Sequence, residues 1–265
     1  MIKRIIVSIV ALPLIILLMW LGGWWLAGFV TLVALLGQLE FYGAFGKLKP
    51  LHVLALVLGA AYVTLPVWLV NIPVRLYIIF VPLLLVFITP FFFARRSPAS
   101  IVVFGLVYVA GLISFVVVMR QNVGLELTWL IFIAAWGSDT GAYFIGRAFG
   151  KRKLAPKLSP SKTIAGSVGG IITAAVLVVA YSWILHALGL WIIYQPIVHS
   201  IYLAIYGLLG AVFAQVGDLV ASALKRHVGI KDFGQIIPGH GGILDRFDSI
   251  LFVAPFALLF FYIIL

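Results

Sequence analysis

Long apolar stretches separated by short polar segments run through almost the whole chain. Each stretch stays hydrophobic for about 20 residues, which is the length of a helix that crosses the roughly 30 Å hydrocarbon core of a bilayer. Strands of a β-barrel would instead alternate polar and apolar positions over about ten residues. We therefore predict an all-α polytopic membrane protein with about nine transmembrane helices. The predicted spans are residues 5–21, 23–41, 52–70, 77–94, 101–119, 127–146, 165–187, 198–226 and 249–265.

The composition narrows the class of protein. Apolar residues make up 65% of the 265-residue chain and charged residues only 9%, which leaves too little polar surface for a water-soluble globule. Cysteine is absent, and this excludes disulfide scaffolds, thiolate metal sites and cysteine nucleophiles. The net charge of +11 would favour nucleic acid as a partner of a soluble protein. In a membrane protein, topology and anionic ligands explain this charge better, and we expect no nucleic-acid partner.

The distribution of Lys and Arg along the chain predicts its orientation in the membrane. When the N-terminus is placed in the cytoplasm, nearly all of these cations fall in cytoplasmic segments, and only Arg75 and Arg120 fall in loops on the other side. The positive-inside rule therefore predicts a cytoplasmic N-terminus, an odd number of spans and a non-cytoplasmic C-terminus.

Polar side chains are concentrated in the second half of the chain. We interpret residues 1–120 as a hydrophobic helical scaffold of about five spans. We expect residues 121–265 to form a functional membrane region, the candidate catalytic part, of about four spans, with cytoplasmic loops at 147–163 and 227–248. The two halves show no inverted repeat of the kind found in many secondary transporters.

Two helices of the second half carry a polar stripe. Asp218, Ser222 and Lys225 are four and three residues apart, so they share one face of the eighth span. Asp139 and Arg147 lie two turns apart on the sixth span. Ionised side chains inside a membrane are costly and are functional candidates by default. The alternative is that both sets of charges are structural. The Asp–Lys pair of the eighth span would then only close the helix bundle, and the Asp–Arg pair of the sixth span would only neutralise its own charges.

The segment 226–248 has the composition of an anion-binding site. Gly239, Gly241 and Gly242 surround His240 and allow backbone amides to approach a phosphate closely. The ninth helix is predicted to begin just afterwards, where its N-terminal dipole favours negative charge.

Three carboxylates near this segment favour a divalent cation. Asp245 and Asp248 are three residues apart and face one side of the first helical turn, and we expect Asp218 opposite them. Magnesium usually takes one or two protein carboxylates and completes its shell with water and phosphate oxygens. No pair of His residues at ligand spacing accompanies these acids, which disfavours zinc. The alternative is that Asp245 and Asp248 only cap the helix against its dipole.

The stretch from Arg147 to Lys162 carries six cations and no acid. Its SPSKT ending places Ser159, Ser161, Lys162 and Thr163 directly before the next helix, an arrangement that suits phosphate binding. Topology and attraction to anionic lipid headgroups explain the charge equally well.

The residues alone favour a reaction class. A carboxylate cluster among cations at the cytoplasmic face fits phosphoryl or nucleotidyl transfer onto a lipid-borne acceptor. One rival is a different magnesium-dependent lipid-phosphate transferase, which loads a sugar phosphate onto polyprenyl phosphate. The other is an ion-coupled transporter that uses Asp139, Asp218 and Lys225 as a relay through the bundle.

Several segments of the second half resemble a known enzyme family. The run 222–248, SALKRHVGIKDFGQIIPGHGGILDRFD, is similar to the C-terminal signature of phosphatidate cytidylyltransferases, also called CDP-diacylglycerol synthases. Segments 138–154, 159–163 and 217–222 also resemble that family, and the first half matches it mainly in apolar character. One departure is Ala165, because members of the family commonly have Glu shortly after the SPxKT segment.

The resemblance implies transfer of a cytidylyl group from CTP to phosphatidic acid, which gives CDP-diacylglycerol and pyrophosphate. It implies magnesium as the cofactor, alone or with a second cation, and Asp218, Asp245 and Asp248 as its ligands. It also implies a homodimer in the bacterial inner membrane, surrounded by membrane lipids, with the active site facing the cytoplasm. The catalytic residues are then expected to be Asp218, Lys225, His240, Asp245 and Arg246. The expected substrate-binding residues are Asp139, Arg147, Ser159, Ser161, Lys162, Thr163, Ser222, Arg226, Lys231, Gly239, Gly241 and Gly242.

Overall fold

Helices make up nearly all of the regular structure. The computed structural model describes residues 2–46, 50–68, 81, 83–85, 88–90, 92–93, 97–191, 195–236 and 241–264. The helices are α1 (Ile2–Leu21), α2 (Gly23–Ala44), α3 (Pro50–Trp68), α4 (Pro98–Gly105), α5 (Phe115–Asn122), α6 (Leu125–Phe149), α7 (Ile164–Ala187), α8 (Pro196–Val228) and α9 (Leu244–Ile264). A π-helix, Leu106–Gly111, lies between α4 and α5.

The helical membrane character predicted from the sequence is confirmed, although the number of spans is not. Six helical segments in the described part of the chain are long and apolar enough to cross a bilayer. They are Gly23–Ala44, Pro50–Val67, Pro98–Asn122, Ile164–Ala187, Pro196–Val228 and Leu244–Ile263. The predicted span at 77–94 lies largely outside the described residues, so nine spans and the orientation of both termini stay predictions.

The π-helix interrupts what the sequence predicted as one uniform span. Ser97 begins this segment by accepting a hydrogen bond from the Ser100 amide at 3.2 Å, with proline next to it in the first turn. The π-helix ends at Gly111, whose carbonyl accepts from the Ser114 hydroxyl at 2.5 Å. Single-turn π segments inside α-helices often accompany functional sites. Here Tyr108, on the π-helix, lies beside the site described below.

Glycines allow α6, α7 and α8 to pack backbone against backbone. A Cβ atom on Gly170 of α7 would lie 2.5 Å from the Ser138 carbonyl oxygen of α6. A Cβ atom on Gly207 of α8 would lie 2.5 Å from the Ala175 Cα atom of α7. Small residues at such crossings are how membrane helices approach closely. The three helices therefore form a tight unit that holds polar groups at one end.

A short β-hairpin occupies the cationic segment that the sequence predicted as a loop. Strands β1 (Lys153–Ala155) and β2 (Ser159–Thr163) are antiparallel, and Lys153 pairs with Thr163. The Thr163 side chain then accepts from the Gly166 amide at 3.1 Å and caps α7. The hairpin thus leads directly into a helix that lines the site.

Helix α8 is the longest element, with 33 residues, and at 1.5 Å per residue it extends about 50 Å. It ends at Gly229, whose φ of 82° is in the left-handed region that suits glycine at a helix C-terminus. Lys225 and Arg226 lie in its last turn, where they complement the helix dipole.

Candidate active site

A cavity of about 420 Å³ opens between α6, β2, α7 and α8. Its polar lining combines two acids with cations, hydroxyls and an amide. These residues include Asp139, Arg147, Lys162, Thr163, Gln215 and Asp218. Lys153 and Ser161 of the hairpin also line it, so the predicted SPSKT contact belongs to the same cavity as the α8 stripe. The predicted residue Ser159 starts β2, at the other end of the strand from Thr163.

Asp218 forms an ion pair with Lys162, which reaches it from β2. The two side chains are 27% and 23% exposed, so the pair is accessible from the cavity. Ser222 donates to Asp218 Oδ1 across one helical turn at 3.5 Å. The face predicted from helical spacing is therefore present, but the partner of Asp218 comes from the hairpin.

A cluster of three neutral side chains fixes the wall next to Asp218. Gln215 is buried, and its amide donates to the Ser138 hydroxyl at 3.2 Å and to the Ser167 carbonyl at 3.0 Å. The Ser167 hydroxyl donates back to the Gln215 side-chain carbonyl. These bonds join α6, α7 and α8 one turn away from Asp218. Their satisfied polar groups hold the wall rigid.

Lys225 and Asp245 form a second, more deeply buried ion pair. The ammonium nitrogen lies 2.6 Å from Asp245 Oδ1, and the side chains are only 11% and 4% exposed. Asp245 Oδ2 accepts from the amides of Phe233 at 2.9 Å and Gly242 at 3.1 Å. Asp245 therefore joins α8, the segment that follows it and the start of α9.

Four acids converge on this end of the molecule. Asp139 and Asp248 each interact electrostatically with Asp218. Asp218, Asp245 and Asp248 all lie close enough to the buried Tyr108 side chain for their charges to act on it, although none of them hydrogen-bonds its hydroxyl among the described residues.

The crossing of α8 and α9 brings two of these acids together. A Cβ atom on Gly217, the neighbour of Asp218, would lie 2.6 Å from the Asp248 carbonyl oxygen. Asp248 is 8% exposed, and its Oδ1 accepts from the Ser249 amide at 2.7 Å. Within the described residues, however, no three acidic or His side chains form a ready metal-binding group. The predicted metal set therefore stays a prediction.

The other predicted cations are placed differently. Arg246 is exposed on the first turn of α9 and attracts Asp139, as Lys162 does. Arg147 donates to the Tyr143 hydroxyl at 3.2 Å at the rim of the cavity. Arg226 is exposed and donates to the Ile230 carbonyl at 2.8 Å, and Lys231 is exposed in the segment after α8.

The predicted glycine-rich contact is described only in part. Gly239 and His240 lie outside the described residues. Gly241 has a φ of 84°, and a Cβ atom there would lie 3.5 Å from Asp245 Oδ2. The Gly242 amide, which was expected to face a phosphate, donates to Asp245. Protein carboxylates therefore already take donors at the start of α9.

Three residues near the site were not predicted as part of it. Gln215 and Tyr108 lie in apolar stretches, where a single polar group carries little signal. Glu40 of α2 accepts from the amides of Ile243 and Leu244, more than 200 positions along the chain. Its signal was an acid inside an otherwise apolar span, which is costly without a partner.

The sequence matches the profile of the cytidylyltransferase family over residues 2–264. The chain belongs to the cytidylyltransferase family. It is 44% identical over 152 residues to the phosphatidate cytidylyltransferase of Bacillus subtilis (strain 168). These matched residues make up 57% of this chain and 53% of that protein.

Two further relatives show similar identity over a similar length of the chain. The chain is 46% identical over 142 residues to the phosphatidate cytidylyltransferase of Haemophilus influenzae, which covers 54% of this chain and 48% of that protein. It is 46% identical over 133 residues to the enzyme of the same name from Staphylococcus haemolyticus, which covers 50% and 47% of the two chains. The matched part of this family member thus spans about half the length of its relatives.

Proposed function

We propose that this protein transfers a cytidylyl group from CTP to phosphatidic acid and releases CDP-diacylglycerol and pyrophosphate. The observation that carries the proposal is the pair of lysine–carboxylate contacts, Lys162–Asp218 and Lys225–Asp245, at one end of an apolar helix bundle. Membership of the cytidylyltransferase family and relatives named phosphatidate cytidylyltransferase support the same reaction.

In the proposed reaction, an oxygen of the lipid phosphate attacks the α-phosphorus of CTP. A new phosphorus–oxygen bond joins lipid and nucleotide, the bond between the α- and β-phosphates breaks, and pyrophosphate leaves with the electron pair. No covalent enzyme intermediate is needed. Lys162, Arg147 and Arg246 border the cavity or its acids and would neutralise charge on the phosphates. A phosphate that enters the cavity competes with Asp218 for Lys162.

Magnesium fits the chemistry of the acids at the site. Asp218 and Asp248 supply hard oxygen ligands from crossing helices, and magnesium needs only one or two carboxylates when phosphate and water complete its shell. Asp245 is the third proposed ligand, and its oxygens would have to exchange contacts with Lys225 and two backbone amides for a bound cation. When bound, magnesium would neutralise charge on the triphosphate and on the departing pyrophosphate.

The proposed setting is a bacterial inner membrane with the site facing the cytoplasm. CTP then enters from water and phosphatidic acid from the membrane lipids. We also propose a homodimer, on the resemblance to the family alone.

The test is transfer of label from CTP carrying radioactive α-phosphate. Purified protein in mixed micelles with phosphatidic acid should give a labelled lipid and an equal amount of pyrophosphate, and magnesium should be required. Asp218→Asn should abolish transfer. Glu126→Gln is the matched control, because Glu126 lies in the first turn of α6 while the cavity is at the other end of that helix.

Two results would contradict the proposal. One is transfer from a UDP-sugar to polyprenyl phosphate with no turnover of CTP. The other is movement of a solute into liposomes by a preparation that consumes no nucleotide.

A further inference from the structure

Glu40 carries a buried carboxylate that the proposed chemistry does not use. It lies near the C-terminal end of α2, in the apolar first half of the chain, and is only 6% exposed. Its Oε1 accepts from the Ile243 amide at 2.9 Å, and its Oε2 accepts from the Leu244 amide at 2.8 Å. Both oxygens therefore bind the start of α9.

The backbone closes around this carboxylate from two sides. A Cβ atom on Gly242 would lie 2.5 Å from Oε2, and a Cβ atom on Gly234 would overlap Oε1. Gly234 lies six residues after the end of α8, and Gly242 lies two residues before the start of α9. Glu40 thus lies against two points of the segment that joins the two helices of the site.

The start of α9 is also the electrostatic partner of Glu40. The two ion pairs in the described part of the chain are Lys162–Asp218 and Lys225–Asp245, so neither includes Glu40. A buried carboxylate without a cation needs several strong donors, and a helix N-terminus provides free amides and a favourable dipole. The Glu40 carboxylate thus occupies the position at which the N-terminus of a helix can bind a phosphate.

Glu40 and Asp245 share the donors at this point. Asp245 takes the Gly242 amide, while Glu40 takes the next two, those of Ile243 and Leu244. Asp245 then forms the ion pair with Lys225. A shift of the α9 start would therefore move the Lys225–Asp245 pair relative to Asp218.

We propose that Glu40 is a positioning residue that anchors the start of α9 to the N-terminal scaffold and thereby fixes the Lys225–Asp245 pair in the site. The scaffold then contributes to catalysis without touching substrate. The effect on turnover rests on the proposed function, whereas the anchor itself does not.

The test is Glu40→Gln, which keeps the shape of the side chain but places an amide group against backbone donors. Hydrogen–deuterium exchange should increase at the amides of Ile243 and Leu244 and stay unchanged in α6 and α7. The kcat for CTP should fall by at least about tenfold because displacements near 1 Å can cost that much. The KM for CTP should change by less than about threefold because Glu40 does not contact substrate.

Gln38→Leu is the matched control. Gln38 is a buried polar residue two positions earlier on α2, but it packs against Gly59 of α3 and hydrogen-bonds Tyr42. Its replacement should leave both exchange at the α9 start and kcat unchanged. If Glu40→Gln does not fold, Gly234→Ala disturbs the same carboxylate from the other side, because its Cβ atom would overlap Glu40 Oε1, and it should give the same two effects.

Unchanged exchange at Ile243 and Leu244, or a kcat within twofold of the wild type, would overturn the proposal. A wild-type protein that does not turn over CTP with phosphatidic acid would contradict the proposed function instead. In that case the exchange measurement still decides whether Glu40 anchors α9.

Discussion

Lys225 and Asp245 meet as a buried ion pair between α8 and α9. Removal of one partner from such a pair leaves an uncompensated charge and costs about 3–5 kcal/mol. We therefore expect Asp245→Asn to lower the midpoint of thermal unfolding in detergent and to abolish transfer from CTP. The Asn side chain keeps an oxygen that can accept from the Phe233 and Gly242 amides. The loss of stability and of transfer therefore measures the effect of removing the negative charge.

The double variant Lys225→Met/Asp245→Asn separates stability from catalysis. Removal of the orphaned ammonium should recover part of the unfolding midpoint, while activity stays absent because both proposed catalytic groups are gone. If Asp245→Asn alone unfolds like the wild type, the pair is not buried as described.

Tyr108 is buried, and its hydroxyl has no hydrogen-bond partner among the described residues. An unpaired buried hydroxyl costs about 1–3 kcal/mol, so Tyr108→Phe should be at least as stable as the wild type. Because this hydroxyl is enclosed and does not line the cavity, we expect kcat to stay within about twofold of the wild type. Steady-state kinetics and thermal unfolding of the same sample check both effects, and a larger fall in kcat would contradict the enclosed position of the hydroxyl.

Helical spacing predicted which residues share a face but not which residues they meet. Asp218, Ser222 and Lys225 do lie along one stripe, yet Asp218 pairs with Lys162 and Lys225 pairs with Asp245. Asp139 and Arg147 also line the same cavity, as their spacing predicts, but the Arg147 guanidinium donates its hydrogen bond to the Tyr143 hydroxyl. Partners on other elements depend on tertiary packing, which a period of 3.6 residues does not contain. For the same reason, helical spacing could not predict the contact between Glu40 and the start of α9.

At the scale of elements, Gly150 controls how the hairpin leaves α6. A Cβ atom there would overlap the Gly146 carbonyl oxygen and lie 2.5 Å from the Thr163 hydroxyl. Gly150→Ala should therefore displace the hairpin, destabilise the protein by about 1–3 kcal/mol and lower turnover, because Lys162 moves with β2. Thermal unfolding and CTP turnover measure the two effects.

Gly28→Ala provides the comparison for this substitution. Gly28 is an exposed residue of α2, and no atom lies within 4 Å of a Cβ placed on it. Alanine in a helix interior gains roughly 0.5–1 kcal/mol over glycine, so this variant should be slightly stabilised and fully active. Equal behaviour of the two variants would remove the steric argument for Gly150.

The long helices were predictable because their apolar length far exceeds that of any alternative element. The π-helix and the hairpin were not. Leu106–Gly111 is apolar throughout, so nothing in its pattern distinguishes a π turn from an α turn. The hairpin is short and its strand residues are mostly charged or polar, without the alternation that indicates a strand.

For the whole molecule, the distribution of Lys and Arg predicts which loops face the cytoplasm. The chain contains no cysteine, so single cysteines report their own side without background. Lys157→Cys, in the exposed hairpin turn, should react with a membrane-impermeant maleimide only when the cytoplasmic face is accessible. Leu190→Cys, 64% exposed between α7 and α8, should react from the opposite face of intact cells.

Labelling of both positions from the same side would contradict the predicted topology, since α7 would then not cross the bilayer. The unsubstituted protein should stay unlabelled in both conditions. Turnover of CTP by each variant confirms that the labelled protein is folded.

The length of α8 has a consequence for how the two proposed substrates would meet. Asp218 lies about 33 Å along the helix from Pro196, close to one thickness of the hydrocarbon core. With Pro196 at one membrane surface, Asp218 would lie at the headgroups of the other surface. The proposed lipid substrate could then present its phosphate while its acyl chains stay in their own leaflet, and the nucleotide would not have to leave water. The rate should then follow the mole fraction of phosphatidic acid in the micelle surface, and dilution of that surface with neutral detergent should slow the reaction at constant bulk concentration.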